Sequence, residues 1–138
     1  MTPAQYRRAV RAVVAAIPLG RVMAYGAIAA YLAELSGRAS PRLVGQIMAR
    51  HGDGLPWHRV VRESGHPARG HEARALRRLR DEGVLLSRRG VRVEIGRAAW
   101  SPAEPAAVLL ARSASDQARP AHAGSGAGAR DSARRGPS

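Results

Sequence analysis

The chain reads YGAIAAYLAELSGRASPRLVGQIMAR from Tyr25 to Arg50, and this stretch contains two helical patterns joined by a short turn. Apolar side chains recur on one side of the segment 27–35, which Gly37 ends. Ser40-Pro41 then resembles an N-cap followed by a first-turn proline, and it opens a second helix over residues 42–50. Two short helices separated by a glycine-containing turn predict a helix-turn-helix, with the second as recognition helix.

Further elements are predicted on both sides of this motif. Residues 2–17 begin with Thr-Pro-Ala-Gln, which has a threonine N-cap and a first-turn proline, and continue with helical apolar spacing. Residues 71–82 form an amphipathic helical pattern that Gly83 terminates. Residues 84–95 have the pattern of a β-hairpin around a Ser-Arg-Arg-Gly turn. The predicted fold class is mostly α with a small β-hairpin, a winged-helix-like helix-turn-helix domain.

The composition changes after residue 100. From Ser101 onward the chain consists mainly of Ala, Gly, Ser, Pro and Arg, with almost no large apolar residue after Leu110. Such a segment buries too little apolar surface to offset the entropy of ordering its backbone. We therefore predict a folded domain over residues 1–100 and a disordered tail over 101–138, in which only residues 104–112 could form a short transient helix.

Charge and residue types restrict the function. The 138 residues carry a formal net charge of +13, and a domain this basic is expected to bind nucleic acid. The sequence has no cysteine, which excludes disulfides and thiolate chemistry, and its five histidines show no metal-binding spacing. We expect no cofactor, no metal and no membrane association. The expected form is a cytoplasmic monomer, nucleoid-associated in a bacterium.

The pentapeptide Pro56-Trp57-His58-Arg59-Val60 points to a specific family. It resembles Pro-Cys-His-Arg-Val, the signature of the O6-alkylguanine-DNA alkyltransferases, whose cysteine accepts the alkyl group. It is most similar to the tryptophan variant of that signature found in alkyltransferase-like proteins. Residues 17–50 resemble the DNA-binding half of the same family, and the whole resemblance covers residues 2–86. An indole N–H is only a donor, so Trp57 cannot replace the thiolate nucleophile.

The resemblance implies roles for three residues of the helix-turn-helix. Tyr25 matches the tyrosine that pushes a nucleotide out of the duplex, and Arg42 matches the arginine that enters through the minor groove and fills the gap. Extruding a base costs a few kcal/mol, and a side chain that fills the gap recovers part of the lost stacking energy. Gly45 lies inside the recognition helix, where glycine is unfavourable. Either close approach to DNA or helix packing explains it.

The resemblance also implies a pocket for the extruded alkylguanine. Its predicted lining is Tyr25, Trp57, Val60 and Arg69. Val60 would contribute its backbone carbonyl, and the Arg69 guanidinium would stack on the base.

Two residues that act in catalysis in the transferases are expected to have a structural role here. His58 matches the histidine that relays a proton from the cysteine, and Glu82 matches its acidic partner. Without a thiol this pair has nothing to activate, so we interpret it as a retained structural hydrogen bond. The arginines of the segment 71–82 are interpreted as a solvated or phosphate-facing helix side.

These observations predict a non-catalytic sensor of DNA damage. The resemblance implies that it binds double-stranded DNA containing O6-alkylguanine, flips the damaged base and marks it for nucleotide excision repair proteins. One alternative is a winged-helix transcription regulator, which would bind one undamaged sequence. The other is a repair enzyme without a cysteine nucleophile, which would use His58, Glu82 and water.

Overall fold

Helices dominate the structure, a computed structural model that describes residues 1–118. None of the helices in this part of the chain is long and apolar enough to cross a membrane. The α-helices are α1 (Pro3–Ala16), α2 (Tyr25–Ser36), α3 (Pro41–His51), α4 (Glu72–Asp81), α5 (Ile95–Ala98) and α6 (Ala106–Ala118). A 3-10 helix (Trp57–Arg59) and two short strands, β1 (Met23–Ala24) and β2 (Val60–Val61), complete the described elements.

The predicted helix ends are confirmed where side chains cap them. Thr2 and Gln5 form a reciprocal capping box at the start of α1. The Ser40 hydroxyl accepts from the Leu43 amide at 3.2 Å and caps α3. Gly37 ends α2 with φ of +80°, in the left-handed region that glycine adopts without strain. The two caps around the turn fix α2 and α3 as the predicted helix-turn-helix.

A two-stranded parallel sheet connects the start of α2 to the segment after Trp57. Met23 pairs with Val60, and Ala24 pairs with Val61. Because Ala24 directly precedes α2 and Val60 directly follows the 3-10 helix, these two pairs bring distant parts of the sequence together. The sequence pattern did not predict this sheet, since each strand has only two residues.

The core consists of two apolar clusters. The larger lies between α1, α2, α3 and β2, and its fully buried members include Val13, Ile28, Leu32 and Val44. The smaller lies under α4 and the segment that follows it, with Leu79 fully buried at its centre. Together they hold α3 on the surface of the domain with one side free.

The predicted hairpin of residues 84–95 forms, although it is short. The Gly90 amide donates to the Ser87 carbonyl in the turn, and Leu86 and Val93 make an antiparallel bridge. On either side of this bridge the Ser87 amide donates to the Arg92 carbonyl at 2.8 Å and the Glu94 amide donates to the Leu85 carbonyl at 3.0 Å. The outward-facing Val93 amide donates to the Gly65 carbonyl at 2.9 Å. Helix α5 begins at Ile95, so the second arm ends one residue earlier than predicted.

The folded part also extends beyond residue 100, so the predicted boundary and the disordered assignment are wrong for residues up to 118. In α6, Ala106 and Leu109 are buried against the core cluster that contains α1 and α2. The Tyr31 hydroxyl donates to the Glu104 carbonyl at 2.7 Å and holds the preceding turn. A few apolar side chains suffice because α1 and α2 already supply an apolar surface. The rest of the predicted tail, 119–138, lies outside the described residues.

Replacing Leu109 with alanine tests whether α6 belongs to the domain. Leu109→Ala removes a buried side chain, so we expect the free energy of unfolding to fall by about 2 kcal/mol. Val108→Ala is the matched control, because Val108 is the next residue and is 49% exposed. It should change stability by less than about 0.5 kcal/mol. Urea denaturation of the full chain measures both. Equal, small effects would show that α6 does not stabilise the domain.

Candidate nucleic-acid interface

A cavity of about 550 Å³ opens beside the recognition helix α3. We call it the tryptophan cavity. Its walls come from the start of α2, one side of α3, the loop around Trp57, the loop 62–70 and the start of α4. The lining residues are Tyr25, Gly45, Met48, Ala49, Gly52, Asp53, Trp57, Arg62, Ala68, Arg69, His71 and Arg74. Three of the predicted pocket residues, Tyr25, Trp57 and Arg69, therefore meet in one cavity.

Small residues form the α3 wall of the cavity. Gly45, Ala49 and Gly52 are spaced by four and three residues, so they lie on one side of the helix. A Cβ placed on Gly45 would have the Tyr25 ring as its nearest neighbour, with Cε1 at 4.0 Å. Apart from this ring at the start of α2, a Cβ would meet nothing within 4 Å, so close packing against another helix does not require glycine here. Arg42 lies one turn before Gly45, is exposed and does not line the cavity.

Trp57 is flanked by cationic side chains of α4. The guanidinium carbons of Arg74 and Arg78 lie 5.3 and 5.6 Å from the indole centroid, within the range of cation–π attraction. The His71 ring approaches edge-on at 5.7 Å between ring centroids. Both arginines are exposed, which agrees with the interpretation of a solvated or phosphate-facing side, but that interpretation did not include their contact with Trp57. Their spacing of four residues predicts that they share a helix face. The spacing does not predict that this face contacts Trp57.

Glu63 positions the start of α2 and with it Tyr25. The N-cap residue Ala24 offers no side-chain cap, and the Glu63 carboxylate instead accepts from the Gly26 amide at 2.9 Å. A carboxylate at a helix N-terminus also interacts favourably with the helix dipole. Burial raises the pKa of the Tyr25 hydroxyl, and the nearby positive charge of Arg62 partly opposes this. Tyr25 thus stays neutral and half-buried at the cavity wall.

Arg69 is exposed on a loop held at both ends. The Arg62 Nε donates to the Pro67 carbonyl at 3.0 Å, and the Gly70 amide donates to the Glu72 carboxylate at 3.0 Å. These bonds fix the loop backbone and leave the Arg69 side chain at the cavity.

Val60 is not among the residues that line the cavity, unlike the other three predicted pocket residues. Its side chain is 1% exposed and packs in the larger core cluster, while the contact predicted for its backbone carbonyl stays a prediction. Its place in the strand β2 explains this position, because that strand pairs with β1 in the interior.

Behind the tryptophan cavity, Glu82 accepts a network of hydrogen bonds. His58 Nε2 lies 2.7 Å from its Oε2, so the structure brings the predicted pair together. Arg59 donates from Nε and Nη2 at 3.0 and 2.9 Å, and the Gly20 amide donates at 3.2 Å. Burial alone would raise the pKa of Glu82, but bonds from Arg59, His58 and Gly20 outweigh it and lower the pKa to about 2. Arg59 was not predicted, since its partner is 23 residues away.

The groups at the tryptophan cavity suit binding. They offer an aromatic face, guanidinium groups and small residues, without a thiolate, because the sequence has no cysteine. Among residues 1–118 no cluster of three or more His, Cys, Asp or Glu residues is arranged to hold a metal ion. A helix-turn-helix whose second helix forms one wall of a cationic, aromatic cavity defines a DNA-binding protein.

Comparison with known proteins identifies the family. The model of the 6-O-methylguanine DNA methyltransferase DNA-binding domain matches residues 5–84. The chain belongs to this family, as a member of its alkyltransferase-like type. Comparison with curated protein sequences gives no significant match.

Solved structures from S. pombe have the same fold. Atl1 in complex with damaged DNA containing O6-carboxymethylguanine is 31% identical, with a TM-score of 0.61. The S. pombe ATL in complex with DNA is 29% identical, with a TM-score of 0.60. Each match covers 74% of this chain and 100% of the other.

Replacing Glu82 with glutamine tests the network behind the cavity. The pKa of Glu82 falls from 4.5 to about 2 in the folded protein. Its ionised form therefore contributes stability above pH 4.5, at most about 3 kcal/mol, and this contribution is lost as the pH falls towards 2. We expect Glu82→Gln to lower the unfolding free energy at pH 7, with the difference from the parent chain shrinking below pH 4.5.

Thermal unfolding between pH 7 and pH 2 measures this difference, and Asp81→Asn is the matched control because Asp81 is adjacent and exposed. A Glu82→Gln deficit that does not change with pH would contradict the assignment.

Proposed function

We propose that this protein is a non-catalytic sensor of alkylated DNA that binds O6-alkylguanine in the tryptophan cavity. The observation that carries the proposal is the position of Trp57. By the resemblance of the pentapeptide 56–60 to the family signature, Trp57 takes the place of the alkyl-accepting cysteine, and it lines a cavity directly beside the recognition helix. The same cavity therefore has space and an aromatic surface for a base, without a group that could take its alkyl substituent.

Access to that cavity requires the damaged nucleotide to leave the helical stack. Tyr25 at the start of α2 and Arg42 at the start of α3 are suited to this step. Tyr25 lines the cavity, and Arg42 extends into solvent on the same helix that forms the cavity wall. We propose that Tyr25 displaces the nucleotide and that Arg42 replaces it in the stack. The energy gained offsets the few kcal/mol that extrusion costs.

The hydrogen bonds of His58 and Glu82 argue against a hydrolytic enzyme. Both Glu82 oxygens already accept hydrogen bonds, and its pKa of about 2 makes it a weak base at neutral pH. His58 is 5% exposed and directs Nε2 to this carboxylate. A general base that activates water needs a free acceptor near the substrate. His58 Nδ1 has no partner among the described residues, but it is buried, and His58 does not line the cavity.

The cavity side of α3 argues against a sequence-specific regulator. It carries Gly45, Met48, Ala49 and Gly52, none of which has a polar side chain to read base edges. Small residues allow a backbone to approach DNA closely, and this favours binding through a groove whose pattern is degenerate. Specificity would then come from the extruded base.

A binder without chemistry requires a downstream process to remove the lesion. We propose that the complex marks the site for nucleotide excision repair. The support is chemical: binding alone leaves the alkyl group on the base. This part predicts that loss of the protein increases alkylation sensitivity in cells that lack a cysteine-dependent transferase. Unchanged sensitivity would contradict it.

Fluorescence anisotropy with two duplexes that differ by one O6-methylguanine tests the sensor function. We expect tighter binding to the damaged duplex at fixed salt, with the masses of protein and DNA unchanged after incubation. Equal affinity for both duplexes would favour the regulator. A changed mass of either partner would show an enzyme.

Variants test the two proposed roles in the same assay. Arg42→Ala and Trp57→Ala should each weaken binding to the damaged duplex by about tenfold, because each removes a stacking or packing contact of ~1–3 kcal/mol. Arg89→Ala, which removes the same charge as Arg42→Ala from an exposed turn outside both the cavity and α3, should leave the affinity for both duplexes nearly unchanged. A thermal melt of each variant verifies folding. The same loss on damaged and undamaged DNA would contradict a lesion-specific role.

Gly45→Ala distinguishes DNA approach from a structural role for this glycine. Since a Cβ meets only Tyr25 Cε1 at 4.0 Å, we expect stability to stay equal or rise by up to about 1 kcal/mol. DNA affinity should fall, because the added methyl group separates α3 from the duplex. Gly96→Ala is the matched control, in a helix where a Cβ meets nothing within 4 Å. A destabilised Gly45→Ala variant would instead indicate packing.

A further inference from the structure

A second cavity, of about 580 Å³, lies on the opposite side of α3 from the tryptophan cavity. We call it the Tyr6 cavity. It is enclosed by the start of α1, the turn between α2 and α3, and the side of α3 that carries residues 43, 46, 47 and 50. At about 100° per residue, these positions lie roughly opposite to those that line the tryptophan cavity. The recognition helix thus has a cavity on each flank.

The Tyr6 cavity is lined by positive charge. Arg7, Arg38 and Arg50 contribute to its wall, and no carboxylate is among the lining residues. Within residues 1–118 none of these three guanidinium groups forms an ion pair. The N-caps of two helices, Thr2 of α1 and Ser40 of α3, also line it. Helix N-termini carry partial positive charge, which adds to the positive electrostatic potential that attracts an anion.

A buried hydroxyl contributes to the same cavity. The Tyr6 side chain is 94% buried, as its exposed fraction is 6%, and its hydroxyl has no hydrogen-bond partner among the described residues. Leaving a buried hydroxyl unpaired is unfavourable, so a ligand that supplies an acceptor oxygen there would be stabilised. Burial raises the pKa of this hydroxyl and the positive charge of Arg38, which lines the same cavity, partly opposes the increase.

We propose that the Tyr6 cavity binds a backbone phosphate of duplex DNA on the flank of α3 opposite to the lesion. The proposal rests on the proposed function, because it requires the duplex to lie on α3. A phosphodiester matches the site chemically, since it is a monoanion with several acceptor oxygens for guanidinium and hydroxyl donors.

The size of a duplex favours DNA over a free anion. A helix with its side chains is about 10–12 Å across, and a duplex is wider, so DNA resting on α3 reaches both flanks. The exposed α3 surface runs from one cavity to the other: Ala49 lines the tryptophan cavity, Gln46 lines the Tyr6 cavity, and exposed Arg42 lines neither. A nucleotide in the tryptophan cavity and a phosphate in the Tyr6 cavity would therefore hold the duplex from both sides of one helix.

Salt dependence tests this second contact. Arg38→Gln and Arg50→Gln should each reduce the slope of log affinity against log salt by up to about 0.9 if each loses one phosphate contact. The reduction should be the same on damaged and undamaged duplexes, so that the ratio of the two affinities stays constant. Arg89→Gln is the matched control and should leave the slope unchanged. Thermal melts of all three variants verify folding.

Tyr6→Phe tests the contribution of the buried hydroxyl separately from that of the arginines. Because the hydroxyl has no partner in the described part of the protein, its removal should not lower the melting temperature. It should weaken binding to both duplexes. A lower melting temperature with unchanged affinity would contradict the assignment of this hydroxyl.

Neutral methylphosphonate substitutions along each strand locate the phosphate. At one phosphate position, the methylphosphonate should weaken DNA binding by the parent protein. The same substitution should not weaken DNA binding by Arg38→Gln any further, because that variant has already lost the contact. Purely additive losses at every position would overturn the proposal. Binding of inorganic phosphate in the cavity, observed by NMR, without any such coupling on DNA would identify a free-anion site and also overturn it.

The two proposals fail in different ways. If the parent protein binds damaged and undamaged duplexes equally, but Arg38→Gln and Arg50→Gln still reduce the salt slope as expected, only the sensor function is rejected. Retained lesion preference with no effect of Arg38→Gln on the slope would reject the Tyr6 cavity alone.

Discussion

The parallel pairing of Met23–Ala24 with Val60–Val61 is the constraint on which the candidate site depends. It joins the residue before α2 to the residues directly after the 3-10 helix of Trp57. Tyr25 and Trp57 therefore line one cavity although 32 positions separate them. The strands are short, and the Glu82 network next to them adds hydrogen bonds to Arg59, His58 and Gly20. Packing and hydrogen bonding together fix the backbone that positions the cavity.

Arginine has different tasks in different parts of this molecule. Arg59 is partly buried and forms a bidentate pair with Glu82, so its charge is used to hold the fold. Arg74 and Arg78 lie over Trp57, where they provide a cationic surround for an aromatic face. Arg38 remains without an ion pair in the described structure, at the Tyr6 cavity. The high net charge thus combines structural pairs with free groups that suit a polyanion.

Local signals predicted the helix-turn-helix correctly. Ser40-Pro41 and Gly37 define helix ends through short-range caps and a left-handed backbone, which depend on neighbouring residues only. The hairpin was also predicted from its local pattern, but the bond from its Val93 amide to the Gly65 carbonyl was not, because no local pattern contains that contact. The tail prediction failed for α6 because α1 and α2 supply most of its apolar contact surface.

The sequence by itself determined the family, the absence of a thiolate and the identity of the residue at the signature position, since these are properties of residue type and spacing. Only the tertiary structure decided what surrounds Trp57, where Val60 lies and which carboxylate caps α2. Those features depend on contacts between segments far apart in the chain, as in Glu63 accepting from Gly26. Helical periodicity indicates which side of a helix is buried, but the partner that it meets is set by packing of the whole domain.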